Sequence, residues 1–185
     1  MVKLAFIMNV PGESTEEYQG TYQCEKSTTL VVGTDGMEQT EALMKDLVAD
    51  GYTLFDLCGD FDEEMRSSLA DAIGADNQTK RVCRADYTAE QMEKLEALPS
   101  LSEYGIIINI FGGGENGRID LLGKGCNSHI LFVNGMEEAA QAAKQLVEEG
   151  IAFIELCSFF DGEKTKEIID AIDGKVPVGT CGKLS

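Results

Sequence analysis

The sequence predicts an α/β protein built from two tandem copies of one β-β-α-β-α-β unit, with mostly parallel sheets and a pseudo-twofold relation between the copies. Three observations predict it. The chain repeats itself at a period near 100 residues. Short apolar runs alternate with amphipathic stretches of about 10–15 residues, the spacing of parallel strands joined by helical crossovers. The strand-like runs at residues 52–58 and 151–157 are apolar almost throughout, as strands covered on both faces are.

The duplication is direct. Compared at an offset of 99, residues 35–73 and 134–172 are identical at 15 of 39 positions without a gap, where ordinary composition gives about two or three. The matches include Gly36/Gly135, Leu47/Leu146, Gly51/Gly150, Cys58/Cys157 and Asp62/Asp161. Upstream, an offset of 102 aligns Gly12-Glu13 with Gly114-Glu115 and Cys24 with Cys126, which places three extra residues of the first copy near residues 32–34. Downstream, an offset of 98 aligns Cys83 with Cys181, so that all six cysteines fall into three pairs. A period this long suits a small domain rather than a solenoid repeat. The expected organisation is a first α/β repeat at 1–86, a connecting helix and linker at 87–103, and a second repeat at 104–185. Two similar halves about a pseudo-twofold axis reproduce in one chain the isologous contact of a homodimer.

Residues 4–10 and 106–111 end at proline or glycine and read as buried first strands. The glycine-containing stretches that follow, to about residues 27 and 129, read as loop with a helical turn. Residues 29–33 and 130–133 are second strands. Asp35 and Asn134 stand at helix starts with Glu38 and Glu137 three residues on, the spacing of a capping box. Met37, Met44, Leu47 and Val48 share one face of the first helix, and Ala139, Ala143, Leu146 and Val147 one face of its counterpart. Gly51 and Gly150 close these helices. Third strands follow at 52–58 and 151–157. Helices capped by Asp62 and Asp161 come next, and fourth strands close the units at 80–83 and 175–179. Thr88, with Gln91 at the box position, starts a connecting helix over 88–98.

Lys and Arg total 15 against 33 Asp and Glu, a net charge of -18. A field of that sign repels nucleic acid and anionic membrane, so neither is an expected partner. The expected partner is a small molecule, bound by a monomer whose copies form a pseudo-dimer or by a homo-oligomer. No apolar run approaches the ~18 residues of a membrane span. The opening Met1-Val2-Lys3-Leu4-Ala5-Phe6-Ile7-Met8 is short and lacks a small-residue cleavage site, and it reads as the first strand rather than a secretory leader. Six cysteines without a secretory pattern point to reduced thiols in the cytoplasm.

The most specific local feature is acid–Leu–Cys at the end of each third strand: Asp56-Leu57-Cys58-Gly59 and Glu155-Leu156-Cys157-Ser158. Alternation turns acid and thiol to one face, and open α/β sheets bind ligands at the carboxyl ends of their strands. A carboxylate inside an apolar strand requires a partner, a ligand or water. Asp56, Cys58, Glu155 and Cys157 are therefore the candidate ligand-binding residues. The competing reading makes each cysteine a small buried hydrophobe and each acid a cap for a neighbouring backbone. A nucleophilic thiol is disfavoured, because the carboxylate on the same face raises its pKa. The only histidine is His129, whose counterpart at the 102 offset is Ser27. Zinc could draw on Cys24, Cys58 and Cys83 with Asp56, or on Cys126, Cys157 and Cys181 with Glu155 and His129. No C-x-x-C spacing supports either set, and no metal ligand is assigned. Gly112-Gly113-Gly114 lacks the spacing of a phosphate loop and reads as a turn.

The run Val147-Glu148-Glu149-Gly150-Ile151-Ala152-Phe153-Ile154-Glu155-Leu156-Cys157, with Phe160 and the later Val176-Pro177-Val178-Gly179, resembles a bacterial domain-of-unknown-function family with an E-L-C-G-x-F strand end and a closing P-V-G strand. The first copy is a divergent match, with Asp56 in place of Glu155, Gly59 in place of Ser158 and no closing P-V-G. The resemblance implies a small bacterial cytoplasmic α/β protein and brings no activity or cofactor. The leading expectation is a small-molecule-binding protein with its pocket at the carboxyl ends of the third and fourth strands. The alternatives are an enzyme using the strand-end acids as general base or metal ligands, and a structural or oligomer-forming module without a ligand.

Overall fold

A computed structural model describes all 185 residues. Each copy forms one five-stranded sheet. In the first copy β1 (Val2–Asn9), β3 (Ser27–Thr34), β4 (Leu54–Leu57) and β5 (Arg81–Arg84) run parallel, and β2 (Gln19–Gln23) adds an antiparallel edge, in the order β2-β3-β1-β4-β5. The second copy repeats this with β6 (Glu103–Asn109), β7 (Gly117–Leu122), β8 (Asn127–Val133), β9 (Phe153–Leu156) and β10 (Val178–Thr180), in the order β10-β9-β6-β8-β7. The α/β class, the duplication and the mostly parallel pairing stand. One element differs: the stretch expected as loop with a helical turn contains the strand β2, or β7. Its short, half-exposed sequence, Gln19-Gly20-Thr21-Tyr22-Gln23, has no apolar run to announce it.

Helices α1 (Gly36–Ala49) and α2 (Glu63–Ala72) join β3 to β4 and β4 to β5; α4 (Gly135–Glu148) and α5 (Gly162–Ala171) do the same in the second copy. Both crossovers of a copy step the same way along the sheet, and right-handed connections then place both helices on one face, where they pack on each other. The other face of each sheet is covered by the other copy. Tyr22 of β2 stacks on Phe132 of β8 with ring centroids 4.5 Å apart. The Met8 sulfur meets the Ser128 hydroxyl at 3.3 Å, and Tyr18 donates to the Cys126 carbonyl at 2.9 Å. The layers are thus helix, sheet, sheet, helix, with the end of one copy's β1 over the start of the other's β8. Residue 86, just past β5, bridges Thr180 of β10 and closes one edge.

The ladders give the true correspondence between the copies. Phe6 faces Asp56 and Ile106 faces Glu155, an offset of 100 for the first strands. Gln19 faces Val32 and Arg118 faces Leu131, an offset of 99 from the edge strand onward. The first copy therefore has one extra residue between β1 and β2, not three near residues 32–34. On this register the counterpart of His129 is Leu30, not Ser27. After α2 the offset falls to 96, because Cys83 faces Asp56 while Gly179 faces Glu155. Cys83 therefore matches Gly179, and Cys181 matches Ala85. Of the three expected cysteine pairs only Cys58/Cys157 is structurally equivalent; loop-length differences had brought unrelated cysteines into line.

Helix ends follow the sequence in part. Gly51 and Gly150, at φ +85° and +86°, end α1 and α4, and the next amides, Tyr52 and Ile151, reach back to the Leu47 and Leu146 carbonyls. Asp62 and Asp161 cap α2 and α5 through the Met65 and Lys164 amides. The expected capping boxes differ. Neither Asp35 nor Asn134 caps through its side chain. Gln39 and Glu138, four residues on rather than three, accept from the Asp35 and Asn134 amides. The next amides, Gly36 and Gly135, are taken by Asn9 and Asn109 at the ends of the neighbouring strands. The connecting helix α3 (Ala89–Glu96) starts at Thr88 as expected and docks on the second copy, where Gln91 accepts from the Val178 amide.

Candidate functional site

Asp56 and Glu155 lie in the middle layer, 1% and 2% exposed, where the two sheets face each other. Each accepts from the backbone of the opposite copy. Asp56 takes the Ser158 amide at 2.7 Å, and Glu155 takes the Gly59 amide at 3.0 Å. Gly59 and Ser158 are equivalent positions, so the two bonds form one reciprocal clasp across the pseudo-twofold axis. The differences between the copies explain each other. The longer Glu155 reaches so far that a Cβ on Gly59 would stand 2.7 Å from its Oε1, whereas the shorter Asp56 faces a residue with a side chain, Ser158, which bonds it through its amide and whose hydroxyl also favours the charged carboxylate.

This pairing of lengths is testable by thermal melting. Gly59→Ala is expected to cost about 1–3 kcal/mol, because the new methyl strikes a bonded carboxylate and the Tyr87 ring. Ser158→Gly should cost under about 1 kcal/mol, and adding Glu155→Asp to Gly59→Ala should recover part of the loss. No recovery in the double variant would contradict the length argument.

The strand-end thiols are held alike. The Asn9 amide points at the Cys58 sulfur and the Asn109 amide at the Cys157 sulfur, both at 3.4 Å. Burial pushes both thiols up, Cys157 to about 12, with Glu155 adding to the effect on Cys58 and Asp56 to that on Cys157. These are protonated groups, unsuited to nucleophilic attack. Burial raises Asp56 to about 6, opposed by the Ser158 amide and hydroxyl and by the Arg81 charge, which favour the charged form. Glu155 is also raised by burial, opposed by the hydroxyls of Tyr104 and Tyr87 and by the Gly59 amide.

Symmetry ends at Glu155. Tyr87 donates to its Oε1 at 2.7 Å, and Tyr104 donates to its Oε2. Asp56 has no such phenols: the counterpart of Tyr104 is Leu4, and that of Tyr87 is Lys183 in the C-terminal segment. Tyr87 passes between two glycines. A Cβ on Gly179 would come within 2.5 Å of its ring, and one on Gly59 within 3.1 Å. The closing P-V-G glycine is thus the place where the Tyr87 ring crosses β10.

Around these groups lies a cavity of ≈ 440 Å³ between the copies, within the usual range for small-molecule sites. Met8, Val10 and Pro11 from the end of β1 and Cys58 and Asp60 from the end of β4 form one wall. Glu155, Tyr104 and Phe153 of the second copy form the other, with Leu95 and Leu101 of the connecting segment beside them. Tyr104 and Phe153 stack with centroids 4.6 Å apart. Of the four residues singled out in the sequence, Cys58 and Glu155 line this cavity, while Asp56 and Cys157 lie outside it. Tyr87 and Tyr104 were not singled out. The signal for them was the buried glutamate itself, which must have donors.

No three side chains among His, Cys, Asp and Glu come together in a way that could hold a metal ion. His129 sits between Asp120 and Glu103 at 2.7 and 3.1 Å, next to Arg118, which ties β7 to Glu149 at the end of α4. Gly112-Gly113-Gly114 forms a turn followed by a strand and not a helix, docked against Lys26 and Tyr22 of the first copy. No helix is long and apolar enough to cross a membrane.

A family model described as "Family of unknown function (DUF6506)" matches residues 2–99 and again 115–183. No curated protein matches the chain.

Proposed function

The chain belongs to this family of unknown function, DUF6506, and since membership carries no activity, we propose from the site that it is a small-molecule-binding protein whose duplicated halves enclose a single ligand cavity. The observation that carries this reading is the buried Glu155 carboxyl on the wall of a ≈ 440 Å³ cavity with apolar walls, formed by both copies. Few polar groups converging in an apolar recess are the usual form of a binding site. Cys58 and Glu155 belong to it. Asp56 and Cys157, which bond backbone amides away from the cavity, serve as scaffold. Each copy thus gives one residue of its acid–Leu–Cys segment to the cavity and keeps the other as support. Six free thiols favour a cytoplasmic setting, and the family resemblance a bacterial one.

The test uses N-phenyl-1-naphthylamine, a neutral apolar fluorophore. Its fluorescence is expected to rise saturably on titration with the protein, at one site per chain. Leu101, half exposed at the rim, offers a way to obstruct the cavity. Leu101→Trp should weaken the probe about tenfold, while Leu122→Trp, at an exposed leucine that does not line the cavity, should leave it unchanged. A linear, unsaturable rise, or equal effects of the two variants, would leave only the structural reading.

A further inference from the structure

We infer that the cavity selects organic cations: ammonium or amidinium groups carried on a small aromatic or aliphatic body. The inference rests on the binding reading above and gives the ligand its charge. Among the residues lining the cavity there is no lysine, arginine or histidine, and there are two acids, Glu155 and Asp60.

The hydrogen-bond directions at the floor are set. A carboxylate offers about four acceptor sites. Glu155 uses three of them, for the Gly59 amide and the Tyr87 and Tyr104 hydroxyls. Each phenol spends its only proton on the glutamate, so the atoms left for a ligand there are acceptors: one carboxylate site and the phenol oxygen lone pairs. At this floor a ligand carboxylate or phosphate would meet negative charge and lone pairs, away from water, which is costly. A ligand N–H meets partners.

The surroundings favour the same sign. Tyr87, Tyr104 and Phe153 line the recess and bring no positive charge to it. Asp60 is exposed at the mouth and is fixed by the Asn9 side-chain amide at 2.5 Å. The net charge of -18 raises the local concentration of cations at that mouth.

Three probes of one shape test this: 2-naphthylmethylammonium, 2-naphthylmethanol and 2-naphthoate, titrated calorimetrically into the whole protein at pH 7.5 and low salt. The ammonium is expected to bind at least about tenfold tighter than the alcohol, through its charge-assisted contact with the Glu155 carboxylate, and the carboxylate weakest of all. Glu155→Gln keeps the shape and an acceptor, and should bring the ammonium-to-alcohol ratio close to one while the alcohol still binds. Should that variant fold poorly, Asp60→Asn at the exposed mouth is expected to lower the same ratio part-way at unchanged melting temperature. Equal binding of ammonium and alcohol, or tightest binding of the carboxylate, overturns the cation assignment and leaves the cavity reading in place. Binding of none of the three overturns both.

Discussion

Urea unfolding of Glu155→Leu is expected to show a loss of about 4 kcal/mol, the largest effect of any single substitution considered for this fold. Leucine fills similar space without an acceptor, so the Gly59 amide and the Tyr87 and Tyr104 hydroxyls lose their partner together. Each unsatisfied buried donor costs about 1–3 kcal/mol, and removal of a buried charge returns part of the total. Tyr87 is 8% and Tyr104 4% exposed, so water gives little relief without the sheets parting. Glu155→Gln keeps one good acceptor and should cost only about 1–2 kcal/mol. Asp56→Leu, which strands a backbone amide and no phenol, should cost clearly less than Glu155→Leu. A Glu155→Leu protein within about 1 kcal/mol of the wild type would mean that the tyrosines find other partners, and the acceptor-only floor of the cavity would be wrong as well.

The same clasp shows what could be seen in the sequence and what could not. The repeat, the helices and the parallel strands announce themselves because each depends on local pattern: apolar runs, acid caps and glycines placed where helices must stop. Asp56 and Glu155 were visible for the opposite reason, as charges where the pattern wants none. Which of them faces a cavity was not visible. That depends on Tyr104 standing where the other copy has Leu4, and on Tyr87 standing where the other copy has Lys183. The edge strand β2 was hidden because residues such as Gln19 and Thr21 carry no apolar alternation, whereas β7 does alternate, Arg118-Ile119-Asp120-Leu121, and its signal was masked by the adjacent glycines. The cysteine pairing misled for a related reason. Loops differ by one residue before β2 and by three before β5, and an ungapped offset can align two cysteines whose strands do not correspond. Register belongs to the hydrogen-bond ladder, which sequence identity approximates only where no loop has changed length.

Asp56 gives the molecule a pH dependence opposite in sign to ordinary acid denaturation. Burial lifts its pKa to about 6 from the usual 3.8. In the folded protein this carboxyl therefore holds its proton more tightly than in the unfolded chain. Between about pH 4 and 6 unfolding releases a proton, and stability falls as pH rises; above both values the full penalty is about 3 kcal/mol. Glu155, raised in the same direction by burial, adds to the trend. Relief of repulsion in a chain of net charge -18 also acts this way, so the wild-type curve alone does not isolate Asp56. Asp56→Asn does, since asparagine accepts the Ser158 amide in the same place and does not titrate. Urea unfolding at pH 5.0 and 7.5 keeps clear of the isoelectric region near 4.3. Over that interval the wild type is expected to lose about 1.5 kcal/mol more than Asp56→Asn. Parallel curves for the two proteins would show that the Asp56 carboxyl is charged across the whole range, compensated by more than the Ser158 backbone. The reciprocal clasp would then be an ordinary anion cap at every pH tested, rather than one that gains a proton below about pH 6.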